Sequence, residues 1–343
     1  MIPALVLTAG LATRLRPLSL VRAKAALPVA GDPLIRRILR WLAASGVTDA
    51  VLNLHHLAHT ITGIVGDGAD GVRVRYSWEV PVLGSAGGPR RALSLLGTSP
   101  FLIVNGDTLT NVDVTGLVAD HRQSGALVTM AVVPNTEPEK YGGVVVEPDG
   151  TVTGFAKRLS RASKVRSAEE TYHFVGVHVA EANAFASLPD NVPSESVAER
   201  YPALIAARRG SVRAFVTTAE FFDIGTPRDY LSTSLLLGIR DSGLGIRIAN
   251  SESRIRSESP IPNPESRFIG ARTRIASDAR IEDSVLWDDV EVEANVRLRR
   301  CIVTDGVRVP GGSSWENATI RIADGPLTDG ERLVGDLAVG SLQ

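Results

Sequence analysis

Over residues 1–240, short apolar runs alternate with amphipathic stretches. Ala4–Leu7 is an unbroken apolar run and predicts a buried strand. Pro33–Ser45 places Leu34, Ile38, Trp41 and Leu42 at helical spacing and predicts a helix. Ala50–Leu54, Phe101–Val104 and Leu127–Val133 predict further strands. Strands separated by helical patterns imply βαβ units, hence an α/β fold with a mainly parallel sheet. In such sheets ligands collect at the C-terminal ends of the strands. Tyr141–Val152 predicts a hairpin that turns at Asp149-Gly150.

The pattern changes further on. Ala249–Ser266 is rich in Ser, Glu, Arg and Pro, and residues 241–266 are expected to be a linker. Beyond it, Ile269, Ile275 and Ile281 recur every six residues, as do Val290, Val296 and Ile302. That period fits neither a helix nor a simple hairpin. It fits a β-helix in which each hexapeptide forms one face of a coil, with short antiparallel strands as the alternative. The expected domains are therefore an α/β domain at 1–240, a β-helix at 267–312 and a Gly- and Asp-rich tail at 313–343 to which the pattern assigns no structure.

At 343 residues the chain is long enough for about two domains. Its net charge of −1 gives no bulk attraction to nucleic acid or to an anionic membrane, and neither is expected as a partner. Charge is nonetheless concentrated: Arg14, Arg16, Arg22, Lys24, Arg36, Arg37 and Arg40 face a single acid, Asp32, in the same stretch. Such a cluster on a near-neutral chain suits a small anionic ligand. One cysteine, Cys301, excludes an internal disulfide. The N-terminus has no basic leader, and no apolar run approaches the ~18 residues of a membrane span. A cytoplasmic location is expected.

Four segments carry chemistry. Leu7-Thr8-Ala9-Gly10-Leu11-Ala12-Thr13-Arg14 ends a strand in small residues and enters a basic loop. Small residues let backbone N–H groups approach phosphates, and Arg14 can offset charge on a leaving pyrophosphate. Lys24 follows closely. Neither a P-loop nor a Gly-x-Gly-x-x-Gly is present, which argues against an ATPase or a dinucleotide enzyme. Asn105-Gly106-Asp107 exposes a carboxylate at a strand end, and Phe221-Phe222-Asp223 sets a second one before Gly225-Thr226-Pro227. Two converging carboxylates suit Mg²⁺ holding phosphates. Glu79 and the Gly-rich Leu83-Gly84-Ser85-Ala86-Gly87-Gly88 open a helix and leave room for a base. His55 and His59 lack a third ligand and read as a post-strand turn and helix start. His121 reads as a helix-surface residue.

The order of Leu7–Pro17, Lys24–Pro28, Leu83–Gly88, Asn105–Asp107, Tyr141–Gly143 and Phe222–Pro227 resembles that of the NDP-sugar pyrophosphorylases, across nearly the whole chain. It is most similar to their mannose-1-phosphate guanylyltransferase-like branch. The resemblance implies a Rossmann-like nucleotidyltransferase domain followed by a left-handed β-helix. It also implies transfer of a nucleotidyl group from an NTP, GTP first, to mannose 1-phosphate or a related hexose or heptose 1-phosphate. The implied roles are phosphate binding for Arg14 and Lys24 and Mg²⁺ binding for Asp107 and Asp223. Leu7, Ala9, Gly10, Ala12, Thr13, Glu79, Gly84, Ser85, Ala86 and Gly87 would contact the nucleotide, and Tyr141, Gly142, Lys157 and Gly176 the sugar.

Three departures stand out. Ala12 replaces the second glycine of Gly-x-Gly-Thr-Arg. Lys157 replaces the glutamate of Phe-x-Glu-Lys. Phe174-Val175-Gly176 replaces Asn-Ala-Gly. The alternatives are a weakly catalytic regulatory subunit that binds nucleotide sugar, or a cytidylyltransferase for a small non-sugar phosphate; the long insert at 136–217 favours a sugar-sized acceptor over the latter. No histidine follows His178, so the tail lacks the base of the β-helix acetyltransferases that some relatives carry. It is expected to have no chemistry of its own and to offer a surface for homo-oligomer formation.

Overall fold

The computed structural model describes residues 2–156, 171–241 and 267–342. The chain forms two compact units, and they cut across the sequence boundaries: Met1–Leu11, Ala23–Ala26 and Leu34–Asp223 make one, whereas Ala12–Arg22, Leu27–Pro33 and Ile224–Gln343 make the other.

The first unit is built on a mixed sheet with a parallel centre. Strand β1 (Ala4–Leu7) lies between β2 (Asp49–Leu54) and β4 (Phe101–Asn105), and β3 (Val72–Trp78) flanks β2. All of these pairings are parallel. Ala4, Leu5, Val6, Val51, Leu52 and Phe101–Val104 are fully buried, which is why these strands read as continuous apolar runs. Register aligns their C-terminal ends: Leu7 pairs with both Asn53 and Asn105, and Leu54 pairs with Trp78. Four loops therefore leave the sheet at one level.

Two antiparallel additions complete the sheet. Strand β9 (Tyr172–Ala180) runs against β4 and against β6 (Val128–Pro134), which itself lies parallel to β10 (Val212–Val216). The expected hairpin forms from β7 (Gly143–Val146) and β8 (Val152–Ala156). A separate ribbon pairs β5 (Thr108–Thr110) with β11 (Phe221–Asp223). The helices include α1 (Leu34–Ala44), α2 (Ala58–Val65), α3 (Gly84–Leu96) and α4 (Val114–Ser124). Helix α1 buries Leu34, Ile38 and Leu42 of the face its spacing predicts, together with Ile35 and Leu39, whereas Trp41 is only half-buried.

His121 does not sit on the surface as its helix pattern suggested. It is 2% exposed, with Nδ1 2.8 Å from the Thr129 hydroxyl of β6. Burial lowers its pKa, although Glu181 pulls the other way. A short amphipathic pattern leaves the inner edge of a helix ambiguous, and here the threonine gives the imidazole a partner indoors.

The second unit holds α5 (Pro227–Asp241) and the hexapeptide region. Most of the expected linker lies outside the described residues. Beyond it, three parallel sheets stack strands such as Arg267–Ile269, Ser284–Leu286 and Ile302–Val303 in the β-helix that the six-residue period predicts. Successive coils advance by 17 residues, not 18. One corner is a residue shorter than the others. Corner positions repeat with the same step and take left-handed backbone: Asp283, Arg300 and Asn317 form one column, and Arg272, Asp289 and Gly306 another. Asn, Asp and Gly tolerate that conformation best, which explains their density here. Val290, Val292, Val296, Leu298, Val303, Val307 and Val309 fill the interior with Cys301, whose thiol burial pushes up to about 11.

Of the region 313–343, left without structure by the pattern, the described residues 313–342 form strands and turns. Ser314–Glu316 and Ala318–Ile322 continue the coil. Leu337–Ser341 then pairs antiparallel with Ala318–Ile322, and Glu331–Val334 pairs with it in turn. A hairpin thus covers the last open strand edge of that sheet. Among the described residues no helix is long and apolar enough to cross a membrane.

Candidate active site

The level strand ends create a set of crossing loops, and buried polar groups hold them in place. Asn53, at the end of β2, accepts from the Thr8 amide at 2.5 Å and the Ala9 amide at 3.3 Å, while its own amide donates to Glu79 Oε1 at 2.8 Å. Glu79 Oε2 accepts from the Leu83 amide at 2.8 Å. One Asn–Glu relay therefore ties the loop after β1 to the loop before α3. Glu79 is 1% exposed and both its oxygens are engaged within the protein, so its carboxyl faces the loop framework. Gly88 is required beside it, because a Cβ there would lie 2.8 Å from Glu79 Oε1.

This relay yields a prediction. Glu79→Ala strands the Asn53 amide and the Leu83 N–H, and each unsatisfied buried donor costs about 1–3 kcal/mol. Glu79→Gln should restore little, since its NH₂ must face one of the two donors. Chemical unfolding should show a loss of at least ~2 kcal/mol for both variants. Wild-type stability in Glu79→Gln would show that the relay does not hold the loops.

The start of α3 is capped by a distant segment. Ala86 and Gly87 donate their amides to the Ser194 carbonyl at 2.9 and 3.2 Å, and the Ser85 hydroxyl donates to Glu195 at 2.6 Å. Leu83 O accepts in return from Ser194 N at 2.9 Å. Gly84 has a φ of +75°, and a Cβ there would meet Glu195 and Ser194 at 2.7 Å. The backbone N–H groups of Ala86 and Gly87, expected to face a base, are thus turned to residues 194–195; the surface left at this loop is that of Gly84 and Ser85. Gly10 is exposed, with no atom beyond its chain neighbours within 4 Å of where a Cβ would stand.

Asp107 follows β4 through Gly106, whose position is dictated by contact: a Cβ would lie 2.5 Å from the Leu7 carbonyl. Lys24 Nζ donates to Asp107 Oδ2 at 2.7 Å, with the two side chains 14% and 33% exposed. Asp223 pairs in register with Thr108 on the β5/β11 ribbon, so the ribbon sets Asp223 opposite the residue that follows Asp107. Lys24 and Asp107 are thus in contact, and Asp223 lies across from the neighbour of Asp107.

Aromatic rings gather at the same ribbon. Tyr141 lies 4.1 Å from His173 and 5.6 Å from Phe221, and His173 lies 4.8 Å from Phe221, centroid to centroid. Lys140 sits 5.1 Å over the Tyr141 ring. Burial, aided by Lys140, lowers the His173 pKa to about 4, so the ring is neutral at pH 7 and acts as an apolar face. Nearby, β9 bulges between Phe174 and His178. Gly176 takes a φ of +78° there and packs on Asn105, 2.9 Å from where its Cβ would stand. Gly142 is exposed. Lys157 lies outside the described residues.

Ala12, Thr13 and Arg14 belong to the second unit. Ala12 adopts left-handed backbone (φ 47°, ψ 47°), the conformation a glycine would enter without strain. Its carbonyl accepts from Leu15 N and from the Ser19 hydroxyl, both at 2.9 Å. The turn is therefore kept despite the methyl, and Arg14 is exposed on it.

Sequence reasoning missed Asn53, Glu195 and His173. An Asn closing a parallel strand beside the signature loop was a usable signal for the first. The other two have no local signature.

The chain is similar to known proteins over most of its length. The family model described as Nucleotidyl transferase matches residues 3–238, and that described as GlmU-like, C-terminal hexapeptide matches residues 263–315. A mannose-1-phosphate guanylyltransferase of Mycobacterium tuberculosis is 29% identical over 307 residues, covering 87% of this chain and 83% of its own. A mannose-1-phosphate guanyltransferase of Emericella nidulans is 29% identical over 334 residues, covering 92% and 85%. Among solved structures, HddC from Yersinia pseudotuberculosis complexed with GMP-PN superposes with a TM-score of 0.58 at 22% identity, over 69% of this chain and all of that one. UDP-glucose pyrophosphorylase from Acinetobacter baumanii gives 0.60 at 20% identity, over 71% and 98%. These two likenesses concern the fold.

Proposed function

Because this chain belongs to the nucleotidyl transferase family, we propose that it joins GTP to mannose 1-phosphate, or to a related hexose or heptose 1-phosphate, and releases pyrophosphate. The observation that carries this reading is the convergence of Lys24, Asp107 and Asp223 at the C-terminal ends of the parallel strands. The choice of base and sugar is supported by the mannose-1-phosphate guanylyltransferases that match most of the chain.

An oxygen of the sugar phosphate attacks the α-phosphorus. The new P–O bond forms as the bond to the β-phosphate oxygen breaks, and pyrophosphate carries away the electron pair. No general base is required, since the attacking phosphate is already ionised. Rate enhancement then comes from positioning and from charge. Lys24 lies where it can meet phosphate oxygens while still held by Asp107. Arg14 offsets charge on the departing pyrophosphate. Tyr141, His173 and Phe221 offer an apolar wall to the sugar ring.

Asp107 and Asp223 would hold Mg²⁺. Among the described residues no cluster of three or more acidic, His or Cys side chains exists. Two carboxylates suit a magnesium ion that takes its remaining oxygens from water and phosphates, and not a closed protein cage. When bound, the ion would neutralise phosphate charge and fix the phosphates in line.

Pyrophosphate release measured with Mg²⁺ over four NTPs and a panel of sugar 1-phosphates tests the reading. GTP with mannose 1-phosphate should lead. A lead of another pair by tenfold or more would overturn the assignment. Arg14→Ala should lower kcat by about 10- to 100-fold with little change in KM for sugar phosphate, because a contact to the leaving group strengthens only as the bond breaks. A raised KM at constant kcat would move Arg14 to the acceptor side.

A further inference from the structure

The loop Ala12–Arg22, which carries Arg14, is grouped with the β-helix although the residues on either side of it belong to the first unit. Its last residue shows how it is held. Arg22 Nε and Nη2 each donate to Asp305 at 2.6 Å in a bidentate fork, and Nη2 also donates to Asp288 at 2.7 Å. The guanidinium lies 5.4 Å over the Trp287 ring, and the side chain is only 14% exposed.

The carboxylates are a product of the coil. Asp288 and Asp305 occupy the same corner in successive coils, and the Asp288 amide donates to Asp305 Oδ1 at 3.1 Å. The next amide in the column, Ala271 N, donates to Asp288 Oδ1 at 2.7 Å. A second anchor accompanies the first. Trp287 is fully buried and donates through Nε1 to the Tyr230 hydroxyl at 2.9 Å, which donates to the Pro28 carbonyl at 2.5 Å. Both N-terminal segments of this unit, 12–22 and 27–33, are thus tied by side chains of Tyr230, Trp287, Asp288 and Asp305. The four residues between those segments include Lys24.

The interior of the coil is apolar, whereas the Arg22 fork joins a corner column, Asp288 and Asp305, to the loop. A bidentate Arg also fixes direction as well as distance, which a surface ion pair does not. We infer that Asp288 and Asp305, acting through Arg22, position the loop that presents Arg14, so that turnover depends on the β-helix. Arg22 is a positioning residue. The inference rests on the proposed role of Arg14.

The test uses the full chain with Arg22→Gln, Arg22→Lys and Asp305→Asn, alongside Arg14→Ala. Two readouts are compared: kcat and KM for pyrophosphate release, and the rate of tryptic cleavage after Arg14. Arg22→Gln should lower kcat at least ~10-fold, as displaced catalytic groups do, with KM for sugar phosphate within about threefold. Cleavage after Arg14 should accelerate by a similar factor. Asp305→Asn should follow in the same direction. Arg22→Lys should recover only part, because an ammonium cannot make the fork. Wild-type kcat and cleavage rate in both Arg22→Gln and Asp305→Asn would overturn the inference. So would faster cleavage at unchanged kcat, if Arg14→Ala itself is impaired. If Arg14→Ala also keeps its kcat, the proposed role of Arg14 has failed, and the inference falls with it.

Discussion

Asp107→Ala is expected to lower pyrophosphate release by more than about 100-fold while the fold survives, since a metal-held phosphate contributes several kcal/mol to the transition state. Asp223→Ala should do the same. The two residues arrive from segments far apart in sequence, and the β5/β11 ribbon pairs Asp223 with Thr108, the residue after Asp107. Their loss should be far larger in rate than in stability. The ion pair that Asp107→Ala breaks, to Lys24, is partly exposed and is worth on the order of 1 kcal/mol. Magnesium titration sharpens the test: Asp107→Asn keeps shape and one oxygen but not the charge, so residual turnover should need more Mg²⁺. If either alanine variant kept Mg²⁺-dependent turnover near wild type, the two carboxylates would not be the metal site.

Much of this site was legible because it lies where parallel strands end. Buried parallel strands are continuous apolar runs, so β1, β2 and β4 stood out, and with them Asp107 at the end of β4. The β-helix was legible for the same kind of reason, since its interior repeats every six residues. The 17-residue coil was not, because the missing residue falls at a corner, where no apolar position marks it. The C-terminal hairpin escaped for a related reason: its antiparallel strands are short, and the outer one, Glu331–Val334, carries Leu333 at 60% exposure.

What depended on register was hidden altogether. Glu79 sits directly between exposed Trp78 and Val80, and nothing local says that its carboxyl is buried against Asn53. The ring cluster of Tyr141, His173 and Phe221 needs three strands to meet, and Arg22 finds its carboxylates only after the coil has formed. Sequence spacing reports which face a residue takes within its own element. It does not report which distant element will lie opposite.

The second large effect is expected in the β-helix. Arg321 and Glu331 are 2% and 1% exposed and form a bidentate pair, with Nε and Nη2 each 2.9 Å from a carboxylate oxygen. Arg321 also donates to the carbonyls of Ile322 and Pro326, and Glu331 accepts from the Thr328 amide and hydroxyl. The pair therefore pins the segment between the last coil strand and the hairpin. Glu331→Ala leaves a guanidinium buried with, among the described residues, only exposed Asp324, 3.7 Å away, as a counter-charge. Breaking one side of such a pair costs about 3–5 kcal/mol, whereas replacing both sides by apolar residues is often neutral. Urea unfolding should show that loss for Glu331→Ala, and an Arg321→Met/Glu331→Leu double variant should recover most of it. The pH dependence gives an independent sign. Burial alone would raise the Glu331 pKa, but the bonds from Arg321 and Thr328 outweigh it and hold it below the ordinary value. A depressed carboxylate contributes stability above its unfolded pKa of about 4.3 and loses it as pH falls through the folded value. The stability difference between wild type and the double variant should therefore shift in favour of the double variant as pH is lowered below ~4.3. If that difference stayed flat while Glu331→Ala lost less than ~1 kcal/mol, the pair would be a bystander, and the hairpin would be held by its strand pairing alone.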